Sequence, residues 1–124
     1  MKIILSKLYN QQSKRLIKKY PSLAKEIPIA LEPLQKNLLE GFTSMGKGFY
    51  KVRVPIASKG VGKRGGARII VYIRIIEDQS FLVAMYDKAE FSDISDDVIK
   101  AFLREIFIPS VKLPNMKNTE GYHI

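Results

Sequence analysis

The sequence predicts an α+β domain: an antiparallel sheet of three or four strands, with helices grouped at the two ends of the chain. Three observations lead there. Residues 49–56 alternate between apolar and cationic side chains, the two-residue period of a half-buried strand. Arg68–Ile76 is β-branched and almost wholly apolar, and only a short polar turn separates it from a second such run, Phe81–Tyr86. Apolar residues at helical spacing occur only before and after this middle region.

Taken in order, Lys2–Leu5 reads as a short opening strand. Leu8–Tyr20 is polar but places Leu16, Ile17 and Tyr20 on one face, an amphipathic helix with Lys14, Arg15, Lys18 and Lys19 on its wet side. Pro21 permits a new helix start. Leu23, Ile27, Ala30, Leu34 and Leu38 keep helical spacing. Pro28 and Pro33 lie inside that pattern and predict a helix kinked or broken in two, with Gly41 as its stop. Gly41–Gly48 is expected to be a loop. Phe49–Ile56 is a strand with Tyr50, Val52, Val54 and Ile56 on one face and Lys51 and Arg53 on the other. Ser58–Ala67 is a loop with four glycines, Arg68–Ile76 a central strand, Glu77–Ser80 a turn and Phe81–Tyr86 the strand that completes a hairpin. Ser95 is placed to cap a last helix, with Asp96 and Asp97 in its positive first turn. Val98, Ala101, Phe102 and Ile106 form its apolar stripe, and Pro109 ends it. Residues 110–124 read as a tail.

With 124 residues, 46% of them hydrophobic, the chain suffices for one domain with a single core. No apolar run approaches the roughly 20 residues needed to span a bilayer, and Met1–Tyr9 lacks the layout of a signal peptide, so a cytoplasmic protein is expected. The absence of cysteine excludes disulfides and thiolate metal sites. The single histidine, His123, offers little basis for a histidine metal cluster or a Ser-His-Asp triad. The net charge is +9, and it is unevenly spread. Residues 1–75 hold 16 Lys/Arg against 3 Asp/Glu; residues 76–124 hold 5 against 9. A basic body of this kind attracts polyanions.

Three groups of residues could carry chemistry. The loop Lys59–Arg68 combines glycines, which let backbone amides approach an anion, with the cations Lys59, Lys63, Arg64 and Arg68. It is not a Walker loop, because no GK[ST] stands at the required spacing and a strand follows. Lys51 and Arg53 share a strand face, and Arg68 and Arg74 could join them from a neighbouring strand, a cation cluster that is costly unless a polyanion covers it. Asp93, Asp96 and Asp97 could be read as a metal site, but charge at a helix N-terminus explains them more simply. Asp87 and Glu90 have nearby cations to pair with.

The segments Tyr50-Lys-Val-Arg53, Gly62-Lys-Arg-Gly-Gly-Ala-Arg-Ile-Ile70, Tyr86-Asp-Lys-Ala-Glu90 and the helix start Ile94-Ser-Asp-Asp97 together resemble the RelE/ParE toxin superfamily, and within it the HigB-like RelE branch. Lys18-Lys-Tyr-Pro-Ser-Leu23 fits the same pattern. No one of these motifs is specific; their order and spacing over about residues 1–107 are. The resemblance implies two N-terminal helices packed on a mainly antiparallel three- to four-stranded sheet with a short C-terminal helix, here a toxin domain over 1–108 and a tail over 109–124. It implies ribosome-dependent cleavage of mRNA without metal or other cofactor. The RNA 2′-hydroxyl attacks the adjacent phosphate, leaving a 2′,3′-cyclic or 3′-phosphate end and a 5′-hydroxyl end. It also implies neutralisation by a cognate antitoxin protein.

By the same resemblance Lys51 matches the family's catalytic lysine, Arg53 its second cation and Arg68 the arginine after the glycines. Lys88 stands near the point where the family has an arginine, and the tyrosine near the last helix of some members is unmatched, with Ser95 close to that point. Lys51 is then the general base, its neutral form favoured by crowding from Arg53, Arg68 and Lys63. Arginine stays charged and cannot take that role. Arg68 suits the developing phosphorane charge, and Arg53 or Lys88 suits phosphate orientation or the leaving group. Lys59, Lys63 and Arg64 would grip mRNA or ribosomal RNA backbone, and Tyr86 could stack on a base. Two other readings share these features: a ParE-like poison of DNA gyrase, and an RNA- or ribosome-binding module without catalysis.

Overall fold

A computed structural model describes residues 1–59 and 65–106 of the chain. Eight principal elements follow one another: β1 (Lys2–Leu5), α1 (Lys7–Lys19), α2 (Leu23–Gln35), β2 (Thr43–Gly46), β3 (Phe49–Val54), β4 (Ala67–Arg74), β5 (Gln79–Asp87) and α3 (Asp96–Ile106). A short 3-10 turn, Ala57–Lys59, follows β3. The strands form one sheet in the order β1-β5-β4-β3-β2. All neighbours are antiparallel except β1, which lies parallel to β5 at the edge. The α+β class therefore holds, with five strands among the described residues instead of three or four.

The additional strand is β2, in a segment expected to be a loop. Its sequence, Thr-Ser-Met-Gly, has little strand propensity of its own. Pairing with β3 across a tight reversal creates it: Gly46, Lys47 and Gly48 all have positive φ. Gly48 also packs closely under Tyr72 and the Ile73 carbonyl, where a Cβ would be crowded.

Ser6 links the edge strand to the first helix. Its hydroxyl accepts from the Tyr9 amide at 3.0 Å as the N-cap of α1 and donates to the Val83 carbonyl at 2.7 Å. Val83 is the residue that a β-bulge between Ile70 and Val71 leaves out of the β4–β5 ladder. The second helix stays unbroken from Leu23 to Gln35 despite Pro28 and Pro33. Leu23, Ile27, Leu31 and Leu34 are all buried against the sheet, and that packing outweighs the two backbone hydrogen bonds the prolines remove. The helix stops before Gly41. Asn37, with φ 55°, is its left-handed C′ residue. The Asn37 amide donates to the Leu34 carbonyl at 3.2 Å and the Leu38 amide to the Pro33 carbonyl at 2.9 Å, a Schellman closure. Leu38, which fits the apolar spacing of the helix, is instead an exposed residue beyond it. The hairpin turn also lies earlier than expected, at Ile75–Asp78, where Asp78 has φ 54° and returns its amide to the Ile75 carbonyl.

Both faces of the sheet are covered. On one, α1 and α2 enclose Val52, Val54, Ile69, Val71, Leu82 and Met85. On the other, α3 sets Phe102 among Phe49, Tyr72 and Phe81, with ring centroids 5.7–6.3 Å apart. Val98 and Ile106 of its expected stripe are half-buried, but Ala101 is exposed and Ile99 and Leu103 take the packing positions instead. Each buried large side chain contributes roughly 1.5–3 kcal/mol.

Candidate active site

Strand alternation places the cations on the same face as α3, beyond the aromatic cluster. In β3, Phe49, Lys51 and Arg53 point to this face; in β4, Arg68, Ile70 and Tyr72 do so. Register completes the arrangement. Arg53 lies opposite Arg68, and Arg68 opposite Tyr86, so three adjacent strands present one row. Lys51 occupies the next row, opposite Ile70. The structure thus brings Lys51, Arg53, Arg68 and Tyr86 together. Arg74 is not among them: it lies opposite Gln79 at the far end of β4 and pairs with Glu77 at 3.3 Å.

The members of the row differ in surroundings. Arg53 is exposed, whereas Arg68 is only 3% exposed, with Nη1 donating to the Ala67 carbonyl at 3.0 Å. Burial, and then the charge of Arg53, lower the pKa of Arg68. The Tyr86 ring is buried as well, and burial together with the nearby Asp93 carboxylate pushes its hydroxyl up to about 12. Tyr86 therefore stays a phenol at neutral pH, its hydroxyl turned to Asp93.

Lys51 does not stand among cations alone. Its Nζ lies 2.9 Å from Asp93 Oδ1, and the same oxygen accepts from the Tyr86 hydroxyl at 3.3 Å and the Ile94 amide at 2.8 Å. Lys51, and then the Ile94 amide, hold the Asp93 carboxyl below the usual aspartate range. The three acidic residues weighed as a metal site divide accordingly: Asp93 serves Lys51, and Asp96 and Asp97 sit in the first turn of α3. Among the described residues no group of three or more His, Cys, Asp or Glu could hold a metal ion. Asp93 is the site residue that sequence reading assigned elsewhere, because 42 positions separate it from its partner.

Beside Tyr86 and Asp93 a cavity of about 230 Å³ is lined also by Gln12, Phe91 and Ser95. The Phe91 side chain is 57% exposed there. Below it, Glu90 forms a two-pronged pair with Arg15 of α1, at 2.7 and 3.3 Å, with Lys19 at 3.9 Å. This pair raises the pKa of Arg15 and lowers that of Glu90. Asp87 is buried, taking the Tyr20 hydroxyl at 3.3 Å and the Ala89 amide at 3.0 Å.

Lys88 is exposed just past the end of β5, and its amide donates to the Gly66 carbonyl at 3.1 Å. That bond ties Lys88 to the exit of the basic loop. Gly66 is required there, since a Cβ would collide with the Val54 carbonyl oxygen. The loop entrance is fixed by α2: Glu26 accepts from the Ala57 amide at 2.8 Å and Ser22 from the Ser58 amide at 3.0 Å. Lys63, Arg64 and the side chain of Lys59 lie outside the described residues.

No helix among the described residues is long and apolar enough to cross a membrane. One family model matches residues 1–108, that of the RelE toxin of the RelE/RelB toxin–antitoxin system.

Proposed function

The chain belongs to the RelE toxin family, and from that premise we propose that it is an endoribonuclease cleaving mRNA on the ribosome, of the HigB-like branch. The toxin of such a system has an antitoxin protein as its partner. The row Arg53–Arg68–Tyr86, with Lys51 beside it, is the observation that supports the enzymatic reading. Four polar groups from three adjacent strands converge on one face, with strand register fixing their spacing.

The proposed step needs no metal. The 2′-oxygen forms a bond to phosphorus as its proton passes to water, and the bond from phosphorus to the 5′-oxygen breaks as that oxygen takes a proton from the Lys51 ammonium, paired with Asp93. Among these cations only Lys51 can exchange a proton, because the arginines remain charged. Arg53, exposed at the rim, is placed for the phosphate; Arg68, in the floor, adds positive potential under the phosphorane. Tyr86 contributes a hydroxyl. Lys88, Lys59, Lys63 and Arg64 serve the RNA backbone around this point.

The experiment is incubation of the purified protein with ribosomes and mRNA, followed by mapping of new 5′ ends. Cuts with 5′-hydroxyl ends that depend on ribosomes are expected, and Arg53→Ala should slow them about 100- to 1,000-fold. Intact mRNA with wild-type protein sinks the proposal. A supercoiling assay that shows inhibition of DNA gyrase would replace it with the ParE-like reading.

A further inference from the structure

The reading of the row as a site for RNA leaves one residue unexplained. A face built to hold a polyanion contains a carboxylate at its centre. Asp93 belongs to no strand; it sits in the segment that joins β5 to α3, anchored by the half-buried Ile94 and Val98. Its Oδ1 meets Lys51 Nζ, the Tyr86 hydroxyl and the Ile94 amide at 2.9, 3.3 and 2.8 Å. The last of these bonds fixes the carboxylate against its own backbone.

Neither stability nor binding accounts for this arrangement. The Asp93 side chain is 58% exposed, and ion pairs at such exposure contribute little to folding. Beside a phosphate chain, a fixed negative charge weakens attraction, so a surface that only bound RNA would do better without it. What the carboxylate does accomplish is geometric. A lysine ammonium on a four-carbon stem has many rotamers; here one oxygen holds it in a single place, next to the tyrosine hydroxyl.

We infer that Asp93 is a positioning residue: it ties Lys51 and Tyr86 into one unit and presents the ammonium at the reacting phosphate. The inference rests on the proposed endoribonuclease activity. It also makes α3 part of the site, because the segment that carries Asp93 is held by that helix.

Two opposed signs make it testable. Asp93→Asn keeps the shape and can still accept from Ile94 and Tyr86, but it loses the ion pair. If Asp93 positions Lys51, kcat for mRNA cleavage falls about 10- to 100-fold while KM is unchanged or lower, and Asp93→Glu recovers part of the loss. Asp96→Asn makes the same charge change in the exposed first turn of α3 and should leave kcat unaltered. A kcat for Asp93→Asn equal to or above wild type overturns the role. A second readout needs no RNA. Labelling by an amine-reactive acylating reagent, followed by mass spectrometry, should show Lys51 several-fold more reactive in Asp93→Asn and unchanged in Asp96→Asn; equal labelling in all three proteins overturns the ion pair itself. Wild-type protein that leaves mRNA intact defeats the proposed function, and this role with it. Active wild type with an unaffected Asp93→Asn defeats this role alone.

Discussion

Arg53 and Arg68 face each other across two strands yet live in different media, and the difference should be measurable. Arg68 is held charged in the floor of the site, where burial and its neighbour both oppose the charge. Arg68→Met removes a buried donor to the Ala67 carbonyl and should lower the urea midpoint, by about 1–3 kcal/mol in unfolding free energy, while mRNA cleavage falls. Arg53→Ala, at an exposed position, should stay within about 0.5 kcal/mol of wild type. A raised midpoint for Arg68→Met would show that the desolvation outweighs its hydrogen bonds. Tyr9 and Tyr86 give a second residue-level test. Burial raises both hydroxyls to about 12 from an ordinary value of 10. Their contribution to stability is thus complete below pH 10 and is lost as pH climbs from there through about 12. Urea midpoints taken from pH 8 to 11.5 should be flat and then fall, and the Tyr9→Phe, Tyr86→Phe double variant should fall less steeply.

At the level of elements, three single changes probe three different forces. Asn37→Ala puts a Cβ-bearing residue without a compensating side chain into the left-handed C′ position of α2, and should cost about 1 kcal/mol. Gly66→Ala forces β4 away from the Val54 carbonyl and should cost roughly 1–3 kcal/mol, as overpacking does. Phe102→Ala removes the ring that α3 sets among Phe49, Tyr72 and Phe81, at a cost of about 3–5 kcal/mol. Thermal unfolding measures all three, and limited proteolysis should cut Phe102→Ala first within α3. These same elements show what the sequence made legible. Strands β3, β4 and β5 were readable because alternation and β-branching are local signals, and the alternation in β3 put Lys51 and Arg53 on one face directly. Strand β2 was not, because its conformation comes from the partner it pairs with. The end of α2 was hidden for a related reason: Leu38 continues the apolar spacing, and only the left-handed Asn37 reveals that the helix has closed. Asp93 was legible as an acidic residue near a helix start, but nothing local in the sequence ties it to Lys51.

Considered whole, the molecule carries its positive charge in its first 75 residues, and strand register gathers Lys51, Arg53 and Arg68 onto one face. Binding to ribosomes should weaken linearly with the logarithm of salt concentration, and Arg53→Ala should reduce that slope by about 1. A slope unchanged by Arg53→Ala would place the RNA elsewhere. The sheet order has a different consequence, for how the chain is made. Strand β1 pairs only with β5, through Lys2–Leu5 against Gln79–Leu82, and the hydroxyl that caps α1 is bonded to a carbonyl 77 residues later. During synthesis the opening strand has no neighbour, and its capping serine has no acceptor in the sheet, until the codons near 83 have been translated. A nascent chain halted before that point lacks the β1–β5 edge of the sheet, so the first strand made cannot take its place until the fifth has been made.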